Sequence, residues 1–300
     1  MKVLITGGAG YIGSNLLRRI SYLKHSVKTV DRYESISKPA NCSEIIVGDL
    51  TDANLTKNIC ENVDCIIHLA GEANVRSSNT ILQKNNLEAS TLLIKSAIAQ
   101  GVKKIIYIST VKNDINNEYA RSKIDVENIL KANNENHKLS FTILQSASVY
   151  GKGMKNGLAT WLKMYKGKYF PRLPNSDSQI EMIGVNDLCE IILKCVESPI
   201  TDNKTYRVND CHLYTINEID HACMKELGRD NNGIKAPRLL LFLFALIGGC
   251  LKYIGVSFFY NLATHNQLFH GVATIDNTLY DDLGYCPKET FYMQLKEILN

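Results

Sequence analysis

Val3-Leu4-Ile5-Thr6-Gly7-Gly8-Ala9-Gly10-Tyr11-Ile12-Gly13 stands at the start of the chain, and its reading decides the fold. A short run that is apolar on both faces suits a strand buried in a parallel sheet. The glycines at 7, 10 and 13 then give the spacing Gly-x-x-Gly-x-x-Gly. Gly7 allows a tight turn out of the strand, Gly10 lets backbone approach a pyrophosphate, and Gly13 lets the following helix press on the sheet. The helix N-terminus offers free N–H groups and the positive end of its dipole to that pyrophosphate. A plain turn would use the same glycines, so the surroundings must decide.

The surroundings repeat the pattern. Strand-type runs fall at Lys2–Thr6, Ser26–Asp31, Glu44–Val47, Cys65–Leu69, Lys104–Ser109 and Phe141–Leu144. Helix-type runs lie between them at Tyr11–Leu23, Ala53–Asn62, Thr80–Gln100 and Glu118–Asn133, with Gly101 as a stop signal. The alternation predicts an α/β fold, a Rossmann-type doubly wound parallel sheet over residues 1–150. After Tyr150-Gly151 the rhythm becomes irregular, which predicts a smaller C-terminal substrate-binding lobe over 151–300, with some segments returning to the sheet.

The second strand ends in Asp31, eighteen residues past Gly13, near the offset at which an acid meets the adenosine ribose hydroxyls. A carboxylate there repels a 2′-phosphate and favours NAD, although Arg32 beside it could accommodate the phosphate of NADP. Gly48-Asp49-Leu50 puts a second carboxylate near the adenine end, where Asp49 or Thr51 could equally serve as a helix cap.

Tyr119-Ala120-Arg121-Ser122-Lys123 sets a phenol and an amine four residues apart, on one face of a helix. A phenol of ordinary pKa near 10 is a poor proton shuttle at neutral pH. A nearby ammonium and an oxidised nicotinamide would favour the phenolate. Thr110, at the end of the preceding strand, could hold a substrate oxygen beside Tyr119. His68 reads as structural rather than as a base, and the seven histidines show no metal spacing.

Together these pieces resemble an extended short-chain dehydrogenase/reductase of the NAD-dependent epimerase/dehydratase family. The resemblance runs in order through Thr6–Gly13, Gly48-Asp49-Leu50, His68-Leu69-Ala70-Gly71, Asn86, Tyr107-Ile108-Ser109-Thr110 and Tyr119–Lys123. It continues through Ser148-Val149-Tyr150-Gly151, Val185-Asn186-Asp187-Leu188 and Asp282-Leu283-Gly284-Tyr285-x-Pro287. It implies a catalytic trio of Thr110, Tyr119 and Lys123. It implies cofactor contacts from Gly7, Gly10, Tyr11, Ile12, Gly13, Asp31, Arg32, Asp49, Leu50, Leu69, Ala70 and Gly71, with Tyr119 and Lys123 also touching the cofactor. The implied substrate is a nucleotide sugar, UDP-linked, and the implied assembly a homodimer through Thr80–Gln100 and Glu118–Asn133.

The activity expected from the resemblance is a UDP-sugar 4-epimerase working through transient oxidation at C4, with a nucleotide-sugar 4-ketoreductase as the alternative. A 4,6-dehydratase would want an acid–base pair after Thr110, where Val111 and Lys112 stand. A non-catalytic dinucleotide sensor or scaffold typically lacks the Tyr or the Lys, and both are here. Three departures from the family stand out, the first being Gln145-Ser146 where the family often has Arg-Pro after the sixth strand. Only nine positions separate Thr110 from Tyr119, and Gln179-Ile180-Glu181 replaces the usual phosphate-gripping arginine. Lys152, Lys155, Arg172 or Arg207 could substitute for it, or be ordinary surface charges.

Composition narrows the classes further. Lys and Arg number 34 against 30 Asp and Glu, a net charge of +4 without the dense basic stripe of a nucleic-acid binder. Nine cysteines without a Cys-x-x-Cys pair point to reduced thiols, and the opening residues are too short for a signal peptide, so a cytoplasmic protein is expected. Leu239–Leu251 is uncharged but falls short of the roughly 20 residues of a membrane span. A core, contact or surface-lying helix is expected there.

Overall fold

The computed structural model describes residues 1–20, 25–33, 42–73, 77–111, 117–134, 139–155, 157–166, 172, 174–229, 235–253, 260, 262–271 and 273–299. The elements of the first half are β1 (Lys2–Thr6), α1 (Tyr11–Ile20), β2 (Ser26–Asp31), β3 (Cys42–Val47), α2 (Ala53–Ile59) and β4 (Cys65–His68). Then come α3 (Asn79–Leu82), α4 (Ala89–Ala99), β5 (Lys104–Thr110), α5 (Glu118–Asn134) and β6 (Ser140–Ser146). The second half holds β7 (Ser148–Tyr150), α6 (Gly157–Lys166), β8 (Gln179–Gly184), α7 (Val185–Glu197), β9 (Lys204–Val208) and β10 (Leu213–Thr215). It ends with α8 (Ile216–Glu226), α9 (Arg238–Tyr253), α10 (Leu262–His270), α11 (Thr278–Leu283) and α12 (Phe291–Leu299).

Seven strands form one parallel sheet in the order β3-β2-β1-β4-β5-β6-β9, the Rossmann-type arrangement expected. All seven residues of β5 are buried, which is why that strand reads as a continuous run rather than an alternation. Leu4, Ile66, Ile105, Tyr107 and Ile143 share a core with Leu93, Ala97, Val126 and Leu130 of α4 and α5. Their strand neighbours Val3, Ile5, Ile67 and Ile106 point to the opposite face. There α1 packs with α7, and Arg19 donates to Asn186 Oδ1 at 2.5 Å.

The helix expected over Thr80–Gln100 is interrupted. Between α3 and α4, residues Gln83–Glu88 take a π-helical turn. Such a turn carries one extra residue, and here it turns Asn86 into the buried interior. Gly101, at φ +72°, ends the run as its sequence predicted. Of the helix expected over Tyr11–Leu23, the part beyond Ile20 falls outside the described residues.

The chain divides into two compact units. The first gathers Met1–Ala147 with Val185–Val208 and Asp276–Cys286, so that β9 closes the sheet beside β6. The second gathers Ser148–Gly184, Asn209–Ile275 and Pro287–Asn300 around a three-stranded sheet in the order β10-β8-β7. Its centre is aromatic. Tyr150 and Tyr214 both donate to Asp210, at 3.0 and 2.6 Å, and both rings meet Phe291 edge-on. Among the described residues no helix is long and apolar enough to cross a membrane.

Candidate active site

The sheet reverses direction of growth between β1 and β4, where α/β sheets open a crevice at their C-terminal strand ends. The glycine turn occupies that place. Gly7 has φ +78°, and a Cβ on it would stand 2.7 Å from the Ala70 nitrogen, so the turn lies directly against the loop after β4. A Cβ on Gly13 would stand 2.1 Å from the Gly7 oxygen, which fixes how closely α1 approaches the turn. Gly10 is exposed, and a Cβ there would meet only the Gly7 oxygen, at 3.1 Å. Gly7 thus makes the tight turn, Gly13 sets the approach of α1, and the open side of the turn lies at Gly10. Tyr11 and Ile12 follow as the first residues of α1, half-buried.

Asp31 ends β2 with its carboxylate against this turn, Oδ2 accepting the Ala9 N–H at 2.9 Å. Its other oxygen accepts a long 3.3 Å contact from the Tyr33 N–H, and the residue is partly exposed. Asp49 lies beyond, 4.0 Å from the Arg32 guanidinium, both side chains being 42% exposed. Burial works to raise the Asp49 pKa. Hydrogen bonds from the Thr51 N–H and hydroxyl, with the charges of Arg32 and Lys84, outweigh it and hold the carboxyl below its ordinary value. Asp52, not Asp49, caps α2, accepting from the Asn54 and Leu55 N–H groups, and Leu50 is buried beside it. Arg32 is therefore turned toward a carboxylate.

The phenol and amine sit at the far side of the same crevice. Asn117 caps α5, accepting from the Tyr119 and Ala120 N–H groups at 3.0 and 3.3 Å, so Tyr119 and Lys123 lie in the first two turns. Lys123 is buried, donates to the Ile108 carbonyl at 3.1 Å and lies 4.9 Å from the centre of the Tyr107 ring. Its Nζ is 3.6 Å from the Cβ position of Gly71, at the end of the loop after β4. Leu69 and Ala70 of that loop are half-buried, the Ala70 N–H donating to Thr6 Oγ1 at 3.2 Å. Thr110 is buried at the end of β5.

In the protein alone, burial pushes the Tyr119 phenol up to about 12, with the Glu72 carboxylate adding to the rise. Burial brings the Lys123 ammonium down to about 8, against the opposing pull of Glu127. The chain by itself therefore holds the phenol neutral, and a positive charge arriving with a ligand is needed to favour the phenolate.

Glu127 and the contacts of Asn86 around this pair were not read from the sequence. Glu127 is 3% exposed and one turn beyond Lys123. It accepts Ser109 Oγ at 2.5 Å, Gln145 Nε2 at 3.1 Å and the Lys131 ammonium at 3.3 Å. Its i+4 spacing from Lys123 was the available signal. Asn86 accepts the Glu72 N–H at 2.6 Å and donates to Ser122 Oγ at 2.9 Å, tying the loop carrying Gly71 to α5.

His68 is structural, as expected. It is 1% exposed, and burial drives its pKa down to about 3, the charge of Lys123 helping. Thr6 Oγ1 lies 2.7 Å from Nδ1 and Ser90 Oγ 2.8 Å from Nε2. Since Thr6 already accepts the Ala70 N–H, the consistent assignment has Thr6 donating to Nδ1 and Nε2–H donating to Ser90. Of the four cations considered for phosphate, Arg172 is buried in an ion pair with Asp220 and Lys152 pairs with Glu297 at 3.4 Å. Lys155 is exposed and Arg207 half-buried.

The glycine turn, the Asp31 carboxylate against it and the Tyr119–Lys123 pair on α5 thus belong to one compact unit. The pattern of the NAD dependent epimerase/dehydratase family matches residues 3–209. The chain belongs to that family. Its cofactor is accordingly NAD, the one favoured by Asp31. A UDP-glucose 4-epimerase of Vibrio cholerae is 25% identical over 237 residues, 70% of this chain and 71% of that one. The photosystem II assembly factor Ycf39 of Synechocystis is 26% identical over 309 residues, 97% of this chain and 87% of its own. Among solved structures, a Thermotoga maritima UDP-glucose 4-epimerase with UDP-glucose superposes with TM-score 0.77 at 21% identity, covering 100% of this chain and 97% of that one. A dTDP-glucose 4,6-dehydratase of Streptomyces venezuelae with NAD does so at 0.78 and 19%, covering 100% and 96%. The family thus shares the fold across different activities.

Proposed function

We propose that this member of the family is a nucleotide-sugar oxidoreductase, a UDP-sugar 4-epimerase acting through transient oxidation at C4. The observation that carries the reading is the Tyr119–Lys123 pair on α5, one turn apart, with Lys123 anchored to Ile108 and facing Gly71. The likeness to the Vibrio cholerae epimerase over seven-tenths of the chain supports the substrate class.

The glycine turn would hold the pyrophosphate of NAD, Asp31 and Asp49 the adenosine side, and Leu69, Ala70, Gly71 and Lys123 the nicotinamide side. NAD held there would supply a reversible hydride acceptor for the sugar carbon. Tyr119, as phenolate, takes the proton of the C4 hydroxyl and later gives it back. Thr110 orients the same oxygen. Lys123 stabilises the phenolate and is itself held by Ile108 O. In an epimerase the 4-keto sugar turns over and the hydride returns to its other face, so sugar is isomerised and no cofactor is consumed. We place the enzyme in the cytoplasm as a homodimer through the outer faces of α4 and α5.

The short separation of Thr110 from Tyr119 favours a second reading, a 4-ketoreductase that consumes reduced cofactor and releases its product. One experiment separates the readings. Purified protein is given UDP- and dTDP-linked hexoses and their 4-keto forms, with proton NMR following the sugar and nicotinamide absorbance following redox. Interconversion without net redox is expected. Stoichiometric loss of reduced cofactor selects the reductase. Bound NAD without turnover of any sugar would leave a non-catalytic dinucleotide-binding protein.

A further inference from the structure

Helix α9 presents an apolar surface that the dehydrogenase chemistry does not use. Leu239, Leu240, Phe242, Leu243, Phe244, Leu246 and Ile247 are between 38% and 70% exposed. At 3.6 residues per turn they cover more than half of the helix circumference. What the helix buries is narrow: Ala245 and Gly248, with Leu241 partly covered. Its inner side rests on α10, where Phe242 meets His265 at 5.5 Å and Arg238 lies 5.2 Å from the Phe269 ring. Leu262 of α10, 39% exposed, extends the same patch. Seven contiguous large apolar residues exceed the scattered exposure normal on soluble proteins.

The charges around the patch indicate what covers it. From Asn231 through Ile275 the sequence has no Asp or Glu, while Lys235, Arg238 and Lys252 lie within it. Lys235 and Arg238 are exposed at the N-terminal end of α9, whose first turn holds no acid. Lys235 donates to Asn175 Oδ1 and Arg238 to the Asn175 carbonyl, both neutral acceptors, and among the described residues neither cation forms an ion pair. A second copy would offer the same acid-free face and so no counter-charge from this segment to Lys235 and Arg238. An anionic surface suits them. The 16 residues of α9 reach only about 24 Å, less than the roughly 30 Å hydrocarbon core, so the helix can lie in a bilayer interface but not span it.

We propose that α9 is an interfacial helix that docks this protein on anionic lipid surfaces. Leucine and phenylalanine side chains enter the headgroup–acyl boundary while Lys235 and Arg238 meet acidic headgroups.

The test is co-sedimentation of the full chain with vesicles of phosphatidylcholine alone, and with about one third phosphatidylglycerol. Binding to the anionic vesicles is expected to be at least about tenfold stronger than to the neutral ones and to weaken with salt. The exposed substitutions Leu243→Glu and Ile247→Glu are expected to lower that binding at least about tenfold. An unchanged helical circular-dichroism signal and melting temperature in those variants would show that the fold persists. Absence of binding, equal binding to both vesicles, or binding that survives both substitutions overturns the proposal. A concentration-dependent dimer in vesicle-free buffer that the same substitutions dissociate also overturns it, and assigns the face to a second copy.

Discussion

Glu127 receives the Ser109 hydroxyl at 2.5 Å, a bond joining the middle of α5 to the strand end that leads into Thr110. This buried carboxylate also faces Lys123, whose ammonium it favours against the cost of burial. Glu127 touches no reacting atom, so its effect must pass through Lys123. In Glu127→Gln the opposing pull is lost, and the Lys123 pKa should fall below about 8. The ammonium then disappears at lower pH, and the alkaline limb of the kcat profile should move acid by about one unit. An unmoved limb would reduce Glu127 to a packing role.

Tyr119→Phe should lower turnover at least about 100-fold, the scale of general acid–base catalysis. It should leave NAD affinity nearly unchanged, because the glycine turn and Asp31 belong to other elements. Single-turnover kinetics with a fluorescence titration of NAD checks both halves. Retained turnover removes the phenol from the reaction.

Asp31→Ala should erase the preference for NAD over NADP. The change removes the acid repelling a 2′-phosphate and leaves Arg32 beside the vacated position. A shift of about tenfold or more in the ratio of the two dissociation constants is expected, with modest loss of stability from the Ala9 N–H left unpaired. An unaltered ratio would mean that the adenosine ribose lies elsewhere.

His68 should make the fold acid-sensitive. Its folded pKa of about 3 lies below the ordinary 6.5, so between those values the unfolded chain binds the extra proton. The stability contributed by the neutral ring is complete above 6.5 and is lost as pH falls toward 3. Melting temperatures from pH 7 to 4 should decline less steeply in His68→Gln than in the parent. Parallel curves would show that other groups set the acid limit.

The crevice was legible in the sequence because its signals are local. Gly7, Gly10 and Gly13 fall within seven consecutive residues, Tyr119 and Lys123 in one helix, and buried parallel strands such as β5 read as unbroken apolar runs. What could not be read spans the chain. The Glu127 site joins α5, β5 and β6 through Ser109 and Gln145, residues that are unremarkable singly. The π turn at Gln83–Glu88 has the composition of an ordinary helix, and only the buried partners of Asn86 account for it. Arg172 looked like a surface cation until Asp220, forty-eight residues on, proved to be its partner.

The edge strand β9 comes from a segment made long after β6, its neighbour in the sheet. A ribosome must therefore release some sixty further residues after Ser146 before that edge can be covered. Until then β6 offers open backbone to any passing strand. A piece of this protein cut near residue 150 would keep Gly7, Gly10 and Gly13 and the Tyr119–Lys123 pair and still lack the strand that shields its sheet. Completion of the sheet is thus tied to synthesis of the second half of the chain.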